Sequence, residues 1–464
     1  MCFCCRHFRG NSCQLASLRI PSPRRLIHID IHTPHKVPHL PHLSNVSDNG
    51  GSSSEITRVI GGPGIGDIRS RLVRLMEDST EEQTAIKRLM SHRLSVDNGI
   101  HARSEWLEIV EGTHMYIPLL SSSFRLWNGI SSEKRELLRS FLRYVQSDIS
   151  KLSRPSSRFD FRNGSIGNFF LTGARLVVPF DTKLIQFFGS LESSIYLLSS
   201  IASLPESVRV VPIINTNHST HIAAKLSCPP YIIVGQNQIS HPTEFTDKTH
   251  SRTISLDDED GTLPPGSLPT LKSPLRNMLV QKSNDFLNGR IERVFYVNPY
   301  GTEVYPSANP KVIQALESTD VLIYSIGSLF TSIIPCLIPK GVAKTILQAK
   351  MRFKIFLLNN GNDRETSGFT SAIDYVSAIV DACNDSLRAS GMQAPENWTQ
   401  YVTHLVYLRG CAIEVDVFEF KKRGIECIGI RPDDMVYDSK ALERVLMGLC
   451  HGPRALQRRA SVQI

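Results

Sequence analysis

The chain has 464 residues, of which 41% are hydrophobic and 21% are charged, and its formal net charge is +8. This apolar content is ordinary for a globular protein with a large core, which excludes wholesale disorder. The positive charge is spread out, and no zinc-finger, homeodomain or RNA-recognition signature accompanies it, so we expect an anionic small molecule rather than a nucleic acid as the partner.

Residues 1–44 are an atypical N-terminal segment. Up to residue 40 they contain six Lys or Arg residues and a single acidic residue, Asp30. This composition predicts a disordered tail, or alternatively a mitochondrial transit peptide. The 10 cysteines include no pair of CxxC motifs, which argues against a zinc site and favours a reducing, cytoplasmic compartment. No apolar run reaches the roughly 18 residues of a membrane span, so no membrane partner is expected.

From residue 45 helical and strand patterns alternate. Apolar residues at helical spacing predict helices, one capped by Ser132 and another opened by Ser165. Two closely spaced strand patterns at 222–226 and 231–234 indicate a β-hairpin. Residues 240–290, rich in Thr, Ser, Pro and Asp, are predicted to be a flexible insertion. The predicted elements of this half are helices at 67–76, 132–151, 165–178 and 181–198 and strands at 208–214, 222–226 and 231–234.

The second half has a strand–helix rhythm typical of parallel sheets. The runs VLIYS at 321–325 and KIFLLN at 354–359 are almost continuously apolar, as strands covered on both faces are. We therefore predict an α/β domain over 45–464, Rossmann-like with three α/β/α layers, a mainly parallel sheet and a small β-hairpin insertion. The predicted elements are strands at 293–297, 320–324, 353–358, 404–408 and 425–430 and helices at 310–318, 328–337, 340–350, 371–389 and 439–450.

In such sheets ligands bind where strands end and small-residue loops lead into helices, and four segments have that composition. The first is 47–54, where Gly50 and Gly51 let the backbone approach a ligand closely. Its hydroxyl groups could cradle a phosphate, and Asp48 could hold Mg²⁺. A flexible Gly/Ser linker explains the same composition equally well.

The second segment, 61–69, contains Gly-rich fragments similar to a dinucleotide fingerprint. No strong strand pattern precedes it, and it lacks the Lys-Ser/Thr of a P-loop, so the fingerprint is weak. Asp67 is placed to cap a helix, and Arg69 follows it. An ordinary capped helix start is the alternative.

The third segment, 163–168, places small residues at a helix start, where N–H groups and the positive dipole end attract anions. Asn163 and Asn168 can add neutral hydrogen bonds. Tight helix packing through Gly167 is the alternative.

The fourth segment, 325–332, follows a buried strand and opens a helix. A strand, a Gly-containing loop and a helix in this order form the usual geometry of a phosphate site. On physical grounds this segment is the strongest candidate of the four.

Together these segments resemble the 2-phospho-L-lactate transferase (CofD-like) superfamily, in particular its gluconeogenesis-factor branch and fungal-type members. The matching stretches, in the order and spacing of the family, are residues 47–72, 163–176, 309–346 and 354–379. Members of the family open with a short apolar strand that runs into a Gly-rich loop. Residues 1–44 are predicted to supply neither, so we expect an alternative or misassembled first segment that lacks a central strand.

The resemblance implies a Mg²⁺-dependent transferase that moves a phospho-acid group from a nucleoside-diphosphate-type donor to a hydroxyl acceptor. Its alternative is a non-catalytic regulatory protein that binds a UDP-sugar or nucleotide, and it is compatible with a homodimer. By position, Asp48 and Asp67 would be the catalytic residues and would hold the metal. The residues that would line the ligand are Asn49, Gly50, Gly51, Ser52, Gly66, Arg69, Asn163, Ser165, Gly167, Asn168, Gly327, Ser328, Thr331, Ser332 and Asn359.

Overall fold

Strands and helices alternate along most of the chain in a computed structural model. The predicted insertion at 240–290 lies almost entirely outside the described residues, and so do Asp48, Asn49, Gly50 and the predicted helix start near Asp181. The residues that the structure describes are 26–29, 41–47, 51–111, 126–152, 158–177, 190–205, 208–229, 231–240, 287, 289–431 and 436–451.

The strands form two sheets. The strands are β1 (Leu26–Ile29), β2 (Pro41–Ser44), β3 (Arg209–Pro212), β4 (His221–Leu226), β5 (Ile232–Val234), β6 (Ile291–Val297), β7 (Glu303–Val304), β8 (Val321–Tyr324), β9 (Phe353–Leu357), β10 (His404–Leu408) and β11 (Glu426–Ile430). The main sheet has seven strands, all parallel, in the order β11-β10-β9-β8-β1-β2-β3. The small sheet has four antiparallel strands in the order β5-β4-β6-β7.

Helices connect these strands. The α-helices are α1 (Gly51–Val59), α2 (Gly66–Leu75), α3 (Glu81–Ser91), α4 (Gly99–Glu111), α5 (Ser132–Leu152), α6 (Ile166–Leu176), α7 (Leu191–Ile201), α8 (Gln236–Ser240), α9 (Pro310–Glu317), α10 (Val342–Gln348), α11 (Ala372–Ala389), α12 (Val417–Lys422) and α13 (Ser439–His451). A helical turn at Leu329–Ile333, which we call the β8 turn, is continued by Ile334–Cys336, and a further single turn spans Trp398–Gln400.

The main sheet is covered by helices on both faces. Alternate residues of β8 face opposite ways, because side chains of a strand alternate with a period of two. Leu322 and Tyr324 belong to the large core that includes the buried face of α11. Val321 and Ile323 belong to a second cluster, which includes residues of α13. The predicted α/β fold with three layers is therefore confirmed.

The order of the main sheet creates a crevice. From β1 the chain continues to β2 and β3 on one side, whereas β8, β9, β10 and β11 follow on the other side. The connections therefore diverge at the carboxyl ends of β1 and β8, which is the switch point where doubly wound sheets bind ligands. The first and the fourth segments singled out in the sequence follow β2 and β8 at this edge.

The structure corrects the expectation that residues 1–44 supply no strand and precede the domain. Leu26–Ile29 pairs with β2 on one side and with β8 on the other, so it is a central strand of the main sheet. Pro41–Ser44 is its neighbour. β1 is only four residues long, and the alternation of Ile27 and Ile29 with His28 and Asp30 is a strand signal that the sequence analysis did not use.

The predicted hairpin is confirmed and is part of a larger unit. β4 and β5 pair in antiparallel fashion, with Ala223 opposite Val234. The strand predicted at 293–297, which the alternating pattern grouped with the parallel strands, instead pairs antiparallel with β4 as β6. A turn at Gly301, which has a positive φ of 82°, then leads into β7.

Candidate functional site

Asn45, directly after β2, connects the two sides of the switch point. Its Nδ2 donates to Ser47 Oγ at 2.6 Å and to the main-chain oxygen of Thr331 in the β8 turn at 3.1 Å. The Tyr296 hydroxyl, from β6, donates to Asn45 Oδ1 at 3.4 Å. The sequence analysis did not single out Asn45, although an Asn between a strand and a Gly/Ser loop is a usable signal.

The first and third segments meet at the starts of α1 and α6. Ser52 Oγ accepts hydrogen bonds from the main-chain N–H of Ser165 at 3.2 Å and from Asn168 Nδ2 at 3.0 Å. Asn168 Nδ2 also donates to Ser53 Oγ at 3.2 Å. All four residues are buried. Their hydrogen bonds therefore hold two helix starts together, and Gly51 begins α1 directly after Asp48–Gly50.

The second segment joins the same cluster through α2. Arg69 Nε donates to Asn168 Oδ1 at 3.2 Å. Gly66 is the first residue of α2 and Asp67, half-buried, lies in the first turn, whereas the capping position belongs to Ile65. The expectation that Asp67 caps this helix is therefore wrong. A carboxylate in the first turn is nevertheless stabilised by the helix dipole.

Gly167 is explained by close packing, the alternative reading of the third segment. A Cβ there would lie 2.7 Å from the main-chain oxygen of Met90 and 2.8 Å from Arg69 Cγ. The nearby Asn163 adopts a positive φ of 54°, and its main-chain oxygen accepts from Arg93 Nη1 at 3.1 Å. Asn163 therefore shapes the turn before α6, and Gly167 lets the first turn of α6 pack closely against Met90.

The start of α6 offers fewer donors than predicted. The N–H of Ser165 is given to Ser52, and the N–H of Ile166 is given to the main-chain oxygen of His92 at 3.1 Å. Ser165 occupies the capping position without a side-chain capping bond. The N–H groups of Ser165 and Ile166, which were predicted to bind an anion, therefore already have partners within the protein.

The β8 turn is held by a buried carboxylate that the sequence analysis missed. Glu365 Oε2 accepts from the N–H groups of Phe330 at 2.9 Å and Thr331 at 3.0 Å. Glu365 Oε1 accepts from Thr331 Oγ1 at 2.6 Å and from the hydroxyl of Ser240. Thr331 is 1% exposed, and its N–H and hydroxyl are hydrogen-bonded to Glu365, so its predicted contact with a ligand phosphate stays a prediction. Ser332 lies buried beside it.

Electrostatics set Glu365 apart from other carboxylates. Burial, together with the charge of Asp363, raises the pKa of Glu365 to about 7, although the hydrogen bonds from Ser240, Thr331 and the Phe330 N–H act in the opposite direction. A buried carboxyl that titrates near neutral pH at a ligand crevice is a candidate functional group.

The loop before the β8 turn is more accessible. Gly327 and Ser328 are half-buried, and the main-chain oxygen of Gly327 accepts from Asn359 Nδ2, after β9, at 2.9 Å. Ser325 directly follows β8 and is fully buried, and its Oγ has no hydrogen-bond partner among the described residues. An unpaired buried hydroxyl is costly, so a hydrogen-bonding ligand or water at this position would be stabilising.

The described residues at this edge offer one carboxylate to the magnesium ion that the resemblance implies. Mg²⁺ is usually bound through one or two carboxylates, phosphate oxygens and water rather than by an all-protein cage. Asp67 supplies one carboxylate, and its partner in the prediction, Asp48, lies outside the described part of the chain. In that part no cluster of three or more His, Cys, Asp or Glu side chains is arranged for a metal.

No helix in the described part of the chain combines the length and apolarity of a membrane span.

Comparisons with known proteins agree with this architecture. A family model described as 2-phospho-L-lactate transferase CofD matches residues 35–428. An uncharacterised protein of Saccharomyces cerevisiae is 38% identical over 437 residues, which cover 88% of this chain and 92% of that protein. A gluconeogenesis factor of Halalkalibacterium halodurans is 34% identical over 98 residues, which cover 20% of this chain and 27% of that protein.

A solved structure has the same fold. A member of the UPF0052 family from Bacillus halodurans superposes with a TM-score of 0.54 and 16% identity, and the match covers 92% of this chain and 100% of that chain. The family match begins at residue 35 and so includes β2, within the segment that was predicted to precede the domain. The resemblance inferred from the four segments is confirmed, and the chain belongs to the 2-phospho-L-lactate transferase CofD family.

Proposed function

We propose that this CofD-like protein is a transferase that passes a phospho-acid group from a nucleoside-diphosphate-type donor to a hydroxyl acceptor. The observation that supports this most is the convergence of the starts of α1, α2 and α6 with the β8 turn on one crevice. Asn168 joins the three helices, and Asn45 joins the loop after β2 to the β8 turn. Helix starts at a switch point favour phosphate groups.

In this reaction the acceptor oxygen forms a bond to the phosphorus of the phospho-acid group. The bond from that phosphorus to the bridging oxygen of the nucleotide breaks, the nucleotide leaves with the electron pair, and the acceptor hydroxyl gives up its proton. We assign the positioning of the acceptor hydroxyl and of a Mg²⁺ ion to Asp67 and Asp48. Mg²⁺, when bound, would offset the phosphate charge.

Arg69, Gly327, Ser328 and Asn359 complete the proposed lining. Each of them is half-buried, so a ligand in the crevice can reach them. Arg69 carries the positive charge closest to Asn168, because their side chains are hydrogen-bonded. Positioning and charge stabilisation are the main contributions that a protein makes to phosphate-group transfer.

A nucleotide or UDP-sugar sensor without catalytic activity is the second candidate. Two observations favour it: the stretch of identity to gluconeogenesis factors, and the internal use of donors at α6 and the β8 turn. A sensor requires only the binding surface, whereas an enzyme also requires carboxylates positioned at the reacting centre.

Thermal unfolding with a panel of GDP-type and UDP-type ligands, each with and without Mg²⁺, tests the shared binding site. A ligand that binds only the folded chain raises the unfolding temperature. An absence of any response across the panel would contradict both candidates.

Asp67→Asn then separates the two candidates. For an enzyme we expect at least a hundredfold loss of turnover with ligand affinity changed by less than about tenfold, as removal of a group needed only in the transition state produces. Asp97→Asn, an exposed Asp on the loop before α4, is the matched control and should behave as wild type. A ligand-binding wild-type chain with no turnover on any donor would support the sensor.

A further inference from the structure

The β8 turn already contains an anion of its own. Glu365, on the loop after β9, is 3% exposed and receives hydrogen bonds from two main-chain N–H groups and two hydroxyls. The N–H groups belong to Phe330 and Thr331, which are among the first residues of the turn. These are the donors that a helix start ordinarily offers to a phosphate.

We propose that Glu365 is a positioning residue of the crevice, whose carboxylate replaces a ligand phosphate at the β8 turn and fixes the Gly327–Ser328 loop for the neutral part of the ligand. The inference rests on the proposed function and adds a subsite assignment to it. The charged phosphates then belong on the side of α1 and α2, next to Arg69, and the uncharged base, sugar or acid part belongs next to Gly327 and Ser328.

The contacts of Glu365 show why its charge matters. Its two oxygens accept four hydrogen bonds, two at each oxygen, and a carboxylate without a proton has acceptor sites for all four. A proton on Oε1 would occupy the side that faces Ser240 and Thr331. Those hydroxyls would have to turn, since the Ser240 and Thr331 oxygens are themselves only 2.9 Å apart. The bonds from the two N–H groups would lose their charge assistance.

Glu365 also connects three parts of the fold. Ser240 is the last residue of α8, beside the small sheet, and Thr331 lies on the β8 turn. Thr331 in turn provides the main-chain oxygen that Asn45 binds across the switch point. A change at Glu365 is therefore transmitted to the loop after β2 through one residue.

Few charged groups surround this carboxyl. Asp363 and Arg364 belong to its own loop, and Arg364 Nε donates to the main-chain oxygen of Ile239 at 3.2 Å. Tyr375 of α11 faces it from below, and burial raises the pKa of that phenol above its usual range. α8 and the β8 turn contribute hydroxyls. The charge of Asp363 raises the pKa of Glu365, so a substitution at Asp363 changes the same titration without changing Glu365 itself.

The test measures GDP and UDP affinity by calorimetry between pH 5.5 and 8.5 in wild-type, Glu365→Gln and Asp363→Asn chains. The ratio of wild-type to Glu365→Gln affinity cancels the ionisation of the nucleotide phosphate. We expect this ratio to rise from near one at low pH to about threefold to tenfold at high pH, from lost charge assistance. In Asp363→Asn the pH at which the affinity reaches half of its change should be lower, whereas the affinity at high pH should stay as in wild type. A ratio that does not change with pH, or an unmoved midpoint, would overturn the proposal.

Hydrogen exchange of the peptide covering 326–333 tests the positioning without any ligand. The hydrogen bonds to Glu365 favour its charged form. Local openings that break these bonds while Glu365 stays buried should therefore become rarer as pH rises, in contrast to global unfolding, which exposes the carboxyl. We expect wild type to become better protected as pH rises, after correction for intrinsic exchange, and Glu365→Gln to show lower protection that does not titrate. Equal protection in both chains at every pH would refute the role of Glu365. If protection titrates as expected but no nucleotide binds, the proposed function fails and the positioning of the β8 turn by Glu365 stands.

Discussion

Asn168→Ala should destabilise the fold by about 3 kcal/mol. The side chain is 2% exposed and makes three hydrogen bonds, two donated to Ser52 and Ser53 and one accepted from Arg69. A buried hydrogen bond contributes about 1 kcal/mol net, and its loss also strands the partners in a buried environment. The bond from the half-exposed Arg69 is weakened by solvent, so we do not count its charge as an additional contribution.

Urea denaturation followed by tryptophan fluorescence measures this loss. Trp106 is a suitable reporter, because its ring centroid lies 4.4 Å from that of Phe169 on α6. Asn384→Ala is the matched control, since Asn384 is also a buried helical Asn but its Oδ1 has no partner among the described residues. We expect the control to lose less than about 1 kcal/mol. If Asn168→Ala loses no more than Asn384→Ala, Asn168 does not hold the three helix starts together.

Three further perturbations test neighbouring features by the same denaturation assay. Gly167→Ala should cost about 1–3 kcal/mol from overpacking, because its Cβ would lie 2.7 Å from the Met90 oxygen, whereas Gly361→Ala, with its nearest neighbour at 3.8 Å, should be close to wild type. Burial lowers the pKa of His42 to about 3. Neutral His42 therefore contributes stability above pH 6.5, and this stability is lost as pH falls towards 3. Because His42→Gln does not titrate, its free energy of unfolding should fall by about 3 kcal/mol less than that of wild type between pH 7 and 4. The pH dependence from Glu365 has the opposite sign, because its pKa is raised from 4.5 to about 7. Its contribution to stability is present at low pH and is lost as pH rises through 7. From pH 4.5 to 8 the free energy of unfolding of Glu365→Gln should therefore rise by about 3 kcal/mol relative to wild type. Unchanged pH slopes in either variant would refute the corresponding assignment.

The second half of the fold could be predicted because its signals are local. The strand expected at 353–358 is observed at Phe353–Leu357, and the helix expected at 371–389 is observed at Ala372–Ala389. An apolar run marks the first, and the second has a capping box between Ser371 and Asp374 as well as helical spacing. Apolar runs and capping boxes each involve only a few consecutive residues, so they can be recognised from the local sequence.

The place of β1 in the sheet could not be predicted in this way. Ile27 and Ile29 alternate with His28 and Asp30, which is a strand signal that the sequence analysis did not use, but this signal does not identify the partner strands. The pairing with β2 and β8 decides the conformation of β1, and the β8 partner begins at Val321, almost 300 residues later. Propensity read along the chain does not contain that information.

The candidate site shows the same division between local and long-range information. The first and fourth segments, which follow β2 and β8, lie at one edge of the sheet, and hydrogen bonds connect the second and third segments to the first. Which donors remain for a ligand depends on distant partners: Asn45 reaches Thr331 across 286 residues, and Glu365 reaches it across 34. Glu365 lies in the loop after β9, within the stretch 354–379 that resembles the family, but nothing local to that loop connects it with the β8 turn.

Some hydrogen-bonding groups at the candidate site already have partners within the protein, whereas others are accessible, and this difference bears on the choice between an enzyme and a sensor. Ser52 Oγ accepts from the Ser165 N–H, and Thr331 Oγ1 donates to Glu365, so these groups already have partners within the protein. Asp67, in the first turn of α2, and Ser328, directly before the β8 turn, are half-buried. Asp48 is the next residue in the sequence after Ser47, which is hydrogen-bonded to Asn45. An enzyme therefore requires Asp48 and Asp67 to act on one metal or hydroxyl. Equal loss of turnover in Asp48→Asn and Asp67→Asn, with nucleotide affinity changed by less than about tenfold in both, is the result that a ligand sensor would not produce.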